Sequence, residues 1–245
     1  MIMLKTVFTV LISTVSAWGA ANLDGAPIIQ IKLKWSNVFL VKGTKPFLID
    51  SGSRGDFPEL EKKLAREKVN VSDLVLIILT SGLADHAGLA KEIRLRSQAK
   101  ILVGQGDLDV VKNGQNGEIK DTSFLIRFFS RYIPASFEAF EPDIIISSDF
   151  DLTPYGVGGQ VIPMPGHTPG SLVVALNDKR YFVGDMIDGG YLNGAFFAHS
   201  PKEHIYHVDE PRNIDNIRKV LAMRAETFYL GHGGPVSRED VSKMH

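Results

Sequence analysis

Thr80-Ser81-Gly82-Leu83-Ala84-Asp85-His86-Ala87-Gly88 is the stretch whose reading decides the fold. It follows directly on Leu74-Val75-Leu76-Ile77-Ile78-Leu79, a continuous apolar run of the kind shown by a strand covered on both faces. Gly88 to Arg96 reads as a helix leaving the stretch. An acid–imidazole pair, Asp85-His86, therefore stands in the turn between a buried strand and a helix, where α/β scaffolds build their sites.

Working outward, Ala26 to Leu33, Asn37 to Val41 and Pro46 to Asp50 read as strands, the last two joined by Lys42-Gly43-Thr44-Lys45. Phe57 to Lys68 has helical spacing, with Leu60, Leu64 and Ala65 on one face, and Asn70 to Asp73 is a turn. Ala99 to Val103 is a short strand, and Gly104 to Asp121 a polar stretch of loop and helix start. Ser123 to Ile133 reads as a packed aromatic helix, with one wall of a substrate cleft as the alternative. Further strands are expected at Ile144–Ile146, Gln160–Met164, Leu172–Leu176, Tyr181–Val183 and Thr227–Leu230. A helix is expected over Glu210–Met223, with Ile214, Ile217, Val220 and Leu221 inward. Strands followed by helix, twice over, predict a layered α/β sandwich.

Four strand ends carry His or Asp flanked by Gly: Asp85-His86 between Gly82 and Gly88, Gly166-His167, Gly184-Asp185 and Gly231-His232. Glycine lets the chain turn sharply and lets a ligand come close. Imidazole and carboxylate donors without thiolate suit zinc, iron or manganese. A single histidine so placed is more often structural; the recurrence at four strand ends points to a metal site. His204 and His207 are three apart, so a helix would bring them to one face. They read as a solvated surface pair; the alternative is that His199, His204 and His207 rim the cleft or replace a missing ligand in space. Gly156 to Gly159 is followed by no Lys-Ser/Thr and is not a phosphate loop, and Ser81 is not in a nucleophile elbow.

These stretches resemble the metallo-β-lactamase superfamily. Residues 80–88 resemble its T-H-x-H-x-D-H-x-G motif, with Ser81 and Leu83 in place of the two leading histidines. Asn37 to Gly52 is similar to its opening hairpin, which ends in Ile-Asp-(Thr/Ser)-Gly. Pro165-Gly166-His167-Thr168-Pro169-Gly170-Ser171 has every residue of its P-G-H-T-P-G-S stretch. Phe182-Val183-Gly184-Asp185 resembles its Gly-Asp strand, and Gly231-His232-Gly233-Gly234-Pro235 its final G-H-G-x-P. The resemblance runs in order from about Asn37 to Pro235 and implies a four-layer αββα sandwich with the site at one edge between the sheets. It implies a second metal site on Asp85, His86 and His232, with Asp185 beside them. The family's first metal site keeps only His167, since Leu83 has no lone pair and Ser81 is a poor ligand.

The expectation is therefore a mononuclear metal hydrolase, with zinc as the ion and iron or manganese as alternatives. Asp85, Asp185 and His167 are its candidate catalytic groups. The resemblance implies a small ester, thioester, lactone or amide as substrate, β-lactams among them. Rival readings are an inactive member of the fold serving as a binding module, and sulfur or redox chemistry on the same scaffold.

Bulk properties set the remaining bounds. The 245 residues are 44% hydrophobic and 22% charged, with net charge −1, so a single domain over 22–245 is expected, with no basic surface for nucleic acid. The absence of cysteine excludes disulfides, thiolate metal sites and cysteine nucleophiles. Residues 1–21 read as a secretory signal: Lys5 precedes the apolar run Val7 to Ile12, and Ala17, Gly19 and Ala21 offer cleavage positions. A β-strand or an uncleaved anchor is the alternative. The expected location is periplasmic or secreted, with no membrane span once the signal is removed and with oligomeric state left open.

Overall fold

The computed structural model describes residues 24–117, 134–192 and 194–244. The leader and the aromatic stretch Ser123 to Ile133 lie outside these described residues. Two six-stranded sheets face each other. The first runs in the order β1 (Ile28–Lys32), β2 (Asn37–Lys42), β3 (Pro46–Ile49), β4 (Leu76–Ile78), β5 (Lys100–Gly104), β6 (Ile144–Ile146). It is antiparallel as far as β3 and parallel from β3 onward. The second sheet runs β14 (Val236–Ser237), β13 (Thr227–Leu230), β10 (Arg180–Gly184), β9 (Leu172–Leu176), β8 (Gly159–Pro163), β7 (Phe150–Asp151). Its one parallel pair is β10 with β13. A two-stranded ribbon, β11 (Asp188–Tyr191) with β12 (Phe196–Lys202), stands apart.

Strand alternation sorts the apolar residues into three layers of core. Phe39, Val41, Phe47, Ile49, Leu76 and Ile78 point from the first sheet toward Val161, Leu172, Val174 and Phe182 of the second. Their neighbours Val38, Leu40, Leu48 and Ile77 point the other way, against Leu60 and Leu64 of helix α1 (Phe57–Arg66) and Ile93 of α3 (Ala90–Ser97). On the outer face of the second sheet, Val173, Val183 and Phe228 pack on Ile217 and Val220 of helix α5 (Glu210–Ala222). The layers are thus αββα, as the resemblance implied. The intervening helices are α2 (Ala84–Ala87) and α4 (Leu108–Asn113), and α6 (Arg238–Ser242) closes the described chain.

Most expected elements appear with ends shifted by a residue or two. Helix α1 stops at Arg66 because Lys68 takes a left-handed backbone, φ 59°. Helix α5 differs on its inward face. Ile217 and Val220 are buried, but Ile214 and Leu221 are only half-buried, and Asn213 and Asn216 take the other buried positions. Asn216 Nδ2 donates to the Pro165 carbonyl at 2.8 Å and Asn213 Nδ2 to the Met186 carbonyl at 3.0 Å. The N-terminal half of this helix therefore faces loop carbonyls rather than oil, and amides are the side chains that satisfy them. Among the described residues no helix is long and apolar enough to cross a membrane.

Candidate metal centre

Four loops leave the facing ends of the two sheets and meet. Helix α2 presents Asp85 and His86, both buried. The loop after β8 presents His167, the turn after β10 presents Asp185, and the turn after β13 presents His232, all three buried. Backbone bonds fix the loops against one another. The Leu172 N–H donates to the Thr80 carbonyl at 2.9 Å, and the Ser51 N–H to the His86 carbonyl at 2.8 Å. The Asn37 side chain donates to the carbonyls of Leu230 at 2.9 Å and Gly233 at 2.8 Å.

The donor atoms of Asp85, His86, Asp185 and His232 all lie within 4.8 Å of one another. His232 Nε2 is 3.3 Å from Asp85 Oδ2 and 3.3 Å from Asp185 Oδ2. His86 Nε2 is 3.1 Å from Asp185 Oδ2 and 3.7 Å from Asp85 Oδ2. The other face of the His86 ring is held by Asp50, whose Oδ2 lies 2.9 Å from Nδ1. Asp50 is itself anchored, accepting from the Thr80 N–H at 2.7 Å and the Thr80 hydroxyl at 2.7 Å. A carboxylate behind a ligating imidazole fixes its tautomer and raises its basicity.

His167 approaches Asp185 Oδ2 from another side, at 3.6 Å. Its Nδ1 lies 2.9 Å from the Tyr206 carbonyl, an acceptor, so Nδ1 carries the proton and Nε2 presents a lone pair. That Nε2 is buried and has no hydrogen-bond partner, and neither does Asp185 Oδ1. Buried polar atoms are rarely left so in a folded protein. A cation among these donors resolves both, and the donor chemistry fits a divalent metal.

Charge in the cluster is balanced internally. Burial alone would neutralise His86 and His232. The carboxylates of Asp185 and Asp85 outweigh it and hold both imidazoles well above their ordinary range. Burial pushes Asp85 and Asp185 up, but His86 and His232 reverse the shift, so both stay below the usual carboxylate range. His167 goes the other way. Burial, with His204 beside it, lowers it to about 3, so it is neutral.

Ser81, at one of the two altered motif positions, is buried, and its hydroxyl has no partner; Leu83 is half-buried. The expectation for His204 and His207 needs correction. They lie in a loop rather than a helix, and they face the site rather than solvent. The His204 ring centroid is 4.8 Å from that of His167, and the His207 ring 5.6 Å from it. The physical reason is backbone pairing. Val208 N–H donates to the His167 carbonyl at 3.0 Å and Asp209 N–H to the Gly166 carbonyl at 2.9 Å, folding this segment onto the His167 loop.

Asp107 was hidden in a polar stretch and carried no signal in the sequence. It is buried, and its carboxylate accepts from Gly82 N–H at 2.7 Å, Thr168 Oγ1 at 2.8 Å and Gly170 N–H at 2.8 Å. It thereby staples the 80–88 loop to the His167 loop. Gly231 is required by close approach: a Cβ there would sit 2.0 Å from Asp185 Oδ1 and 2.7 Å from His86 Cε1. A separate cavity, about 660 Å³, lies at the opposite end of β10 among Gln160, Lys179 and Arg224, and contains none of these residues.

The family model of the metallo-beta-lactamase superfamily matches residues 36–232, and the chain belongs to that superfamily. A probable metallo-hydrolase of Methanocaldococcus jannaschii is 28% identical over 200 residues, covering 81% of this chain and 87% of that one. Among solved structures, BJP-1, a subclass B3 metallo-beta-lactamase of Bradyrhizobium japonicum, superposes with a TM-score of 0.61. It is 18% identical, over 84% of this chain and 75% of that one. TTHA1623, solved in a di-iron-bound form, gives a TM-score of 0.64 at 17% identity, over 89% of this chain and 98% of that one. The chain thus has the superfamily's hydrolase-like fold and carries a group of side chains suited to a metal.

Proposed function

We propose that this protein is a metal-dependent hydrolase of a small ester, thioester, lactone or amide, β-lactams included. One observation carries the reading. A single carboxylate oxygen, Asp185 Oδ2, lies within 3.7 Å of imidazole nitrogens from His86, His232, His167 and His204. Asp85, His86, Asp185 and His232 would hold the ion, with zinc the first choice and iron or manganese alternatives. A metal there supplies Lewis acidity toward a carbonyl and acidifies water near neutral pH.

The chain's own residues do the rest. Asp85 and Asp185, ionised at neutral pH, are the candidate general bases. His167 offers a lone pair at Nε2, so it accepts from water rather than polarising a carbonyl. The β11–β12 ribbon is tied to the His232 turn by Gly189 N–H to the His232 carbonyl at 2.8 Å and Gly234 N–H to the Ala198 carbonyl at 2.7 Å. It leaves Tyr191, Leu192, Phe196 and Phe197 exposed, which supports a substrate with an apolar portion.

The test is turnover of nitrophenyl esters, thioesters, lactones and β-lactams before and after chelation. Loss on chelation and recovery with zinc, iron or manganese is expected. Absence of turnover at full metal occupancy would favour the binding-module reading instead. We further propose export, on the leader pattern of residues 1–21. N-terminal sequencing of the cell-envelope form should start after Gly19 or Ala21, and a chain starting at Met1 would count against cleavage.

A further inference from the structure

We propose that His167, His204 and Asp185 form a second divalent-cation site, built by the segment after β12 in place of motif positions 81 and 83. The inference rests on the metal reading above and extends it from one ion to two. Three observations carry it.

The first is the pair of imidazoles on one carbonyl. His167 Nδ1 and His204 Nδ1 each lie 2.9 Å from the Tyr206 carbonyl oxygen. With Nδ1–H donated there, the His167 Nε2 lone pair turns toward Asp185 Oδ2 at 3.6 Å, and His204 Nε2 lies 3.7 Å from the same oxygen. The Tyr206 N–H also lies 3.1 Å from His204 Nδ1, so the Tyr206 peptide holds this ring in either tautomer, and the one that donates Nδ1–H to the carbonyl leaves Nε2 to ligate. The second is that buried polar atoms at this place lack hydrogen-bond partners. His167 Nε2 is buried without a partner, and so is Asp188 Oδ1, which lies 3.9 Å from His204 Nε2. Lone pairs converging on a carboxylate repel unless a cation sits among them. Two imidazoles and a carboxylate with open positions are a recurrent divalent-metal set.

The third is that the segment is built in rather than draped over. The Val208 and Asp209 N–H groups bond the carbonyls of His167 and Gly166, and His207 packs edge-on against His167, with ring planes at 88°. Asn213 Nδ2 lies 3.3 Å from His207 Nε2, and Asp209 caps α5 through the Arg212 N–H at 3.1 Å. The imidazoles lost at positions 81 and 83 are thus replaced in space from a different part of the chain. Asp185, touched by His86 and His232 on one side and by His167 and His204 on the other, becomes the shared ligand.

The experiment is a zinc titration of the full-length, tag-free, chelator-stripped protein. Bound equivalents are counted by elemental mass spectrometry for wild type, His204→Ala, His204→Gln and His204→Asp. Two equivalents in wild type, one in His204→Ala and two again in His204→Asp, which restores an oxygen donor, would bear the proposal out. His204→Gln, which keeps side-chain bulk without an imidazole, should likewise bind one equivalent, and two equivalents in it would overturn the assignment to His204 should the alanine variant misfold, which circular dichroism would reveal. One equivalent in wild type, unchanged in His204→Ala, overturns the second site and leaves the single-metal reading standing. Two equivalents in both proteins overturns the assignment to His204. No zinc in wild type overturns this inference together with the metal reading beneath it.

Discussion

Asp50 shows how much of the centre is set by a residue that points away from it. Its carboxylate holds His86 by Nδ1 and is in turn held by Thr80. Asp50→Asn would put an amide against Nδ1 and unsettle the tautomer that leaves Nε2 free. Zinc affinity is expected to fall about 10–100-fold at unchanged secondary structure. Calorimetric titration checks this, and an affinity equal to wild type would show that Asp50 only packs. Gly231 is the steric counterpart. Gly231→Ala drives a methyl into Asp185 Oδ1, so the variant should lose metal and about 1–3 kcal/mol of stability. Metal content and urea unfolding measure the two effects, and a fully loaded variant would contradict the packing. At this scale the sequence was partly legible. His167, Asp185 and His232 each adjoin a glycine at a strand end, and Asp85-His86 stand between Gly82 and Gly88, and that local pattern could be read. His204 could not, because its place depends on a loop folding back onto the His167 loop, which no local spacing records.

Among the elements, legibility followed burial. The strands β2 and β9 are buried along most of their length, so their apolar runs announced them. The ribbon strand β12 has no fully buried residue, and β11 carries Gly189 and Gly190, so neither shows a period of two. Helix α5 was found by its apolar spacing, but Asn213 and Asn216 were not, because they answer to loop carbonyls on the site side. Between elements, Asp107 is the joint. Asp107→Ala would leave the Gly82 and Gly170 N–H groups without an acceptor, while the Thr168 hydroxyl keeps Ser171 Oγ at 2.8 Å, at a cost of about 2 kcal/mol. Urea unfolding should show that loss together with weakened metal binding, since the staple aligns the His86 and His167 loops. Unchanged stability would mean that water replaces the carboxylate.

For the whole molecule, the buried charges fix how stability depends on pH. His86 and His232 are held above their ordinary value of 6.5, so their contribution is full below that value and is lost as pH rises through the raised one. His167 and His207 are lowered to about 3 and about 4, chiefly by burial. Their contribution is full above 6.5 and is lost as pH falls toward those values, because the unfolded chain takes up protons that the folded one refuses. Asp85 and Asp185 act in the same sense at lower pH. The metal-free protein should therefore melt highest near pH 6.5, with the melting temperature falling on both sides. Metal should abolish the alkaline fall, because ligated imidazoles are already deprotonated. A metal-free melting temperature that rises steadily from pH 6.5 to 8.5 would contradict the buried ion pairs. The central claim, that these converging loops exist to hold a metal, is tested most directly by elemental mass spectrometry of tag-free wild type beside His86→Ala. At least one equivalent of zinc, iron or manganese in wild type, and a lower content in the variant, is the predicted result. A wild type that stays empty after incubation with excess of each metal would contradict it.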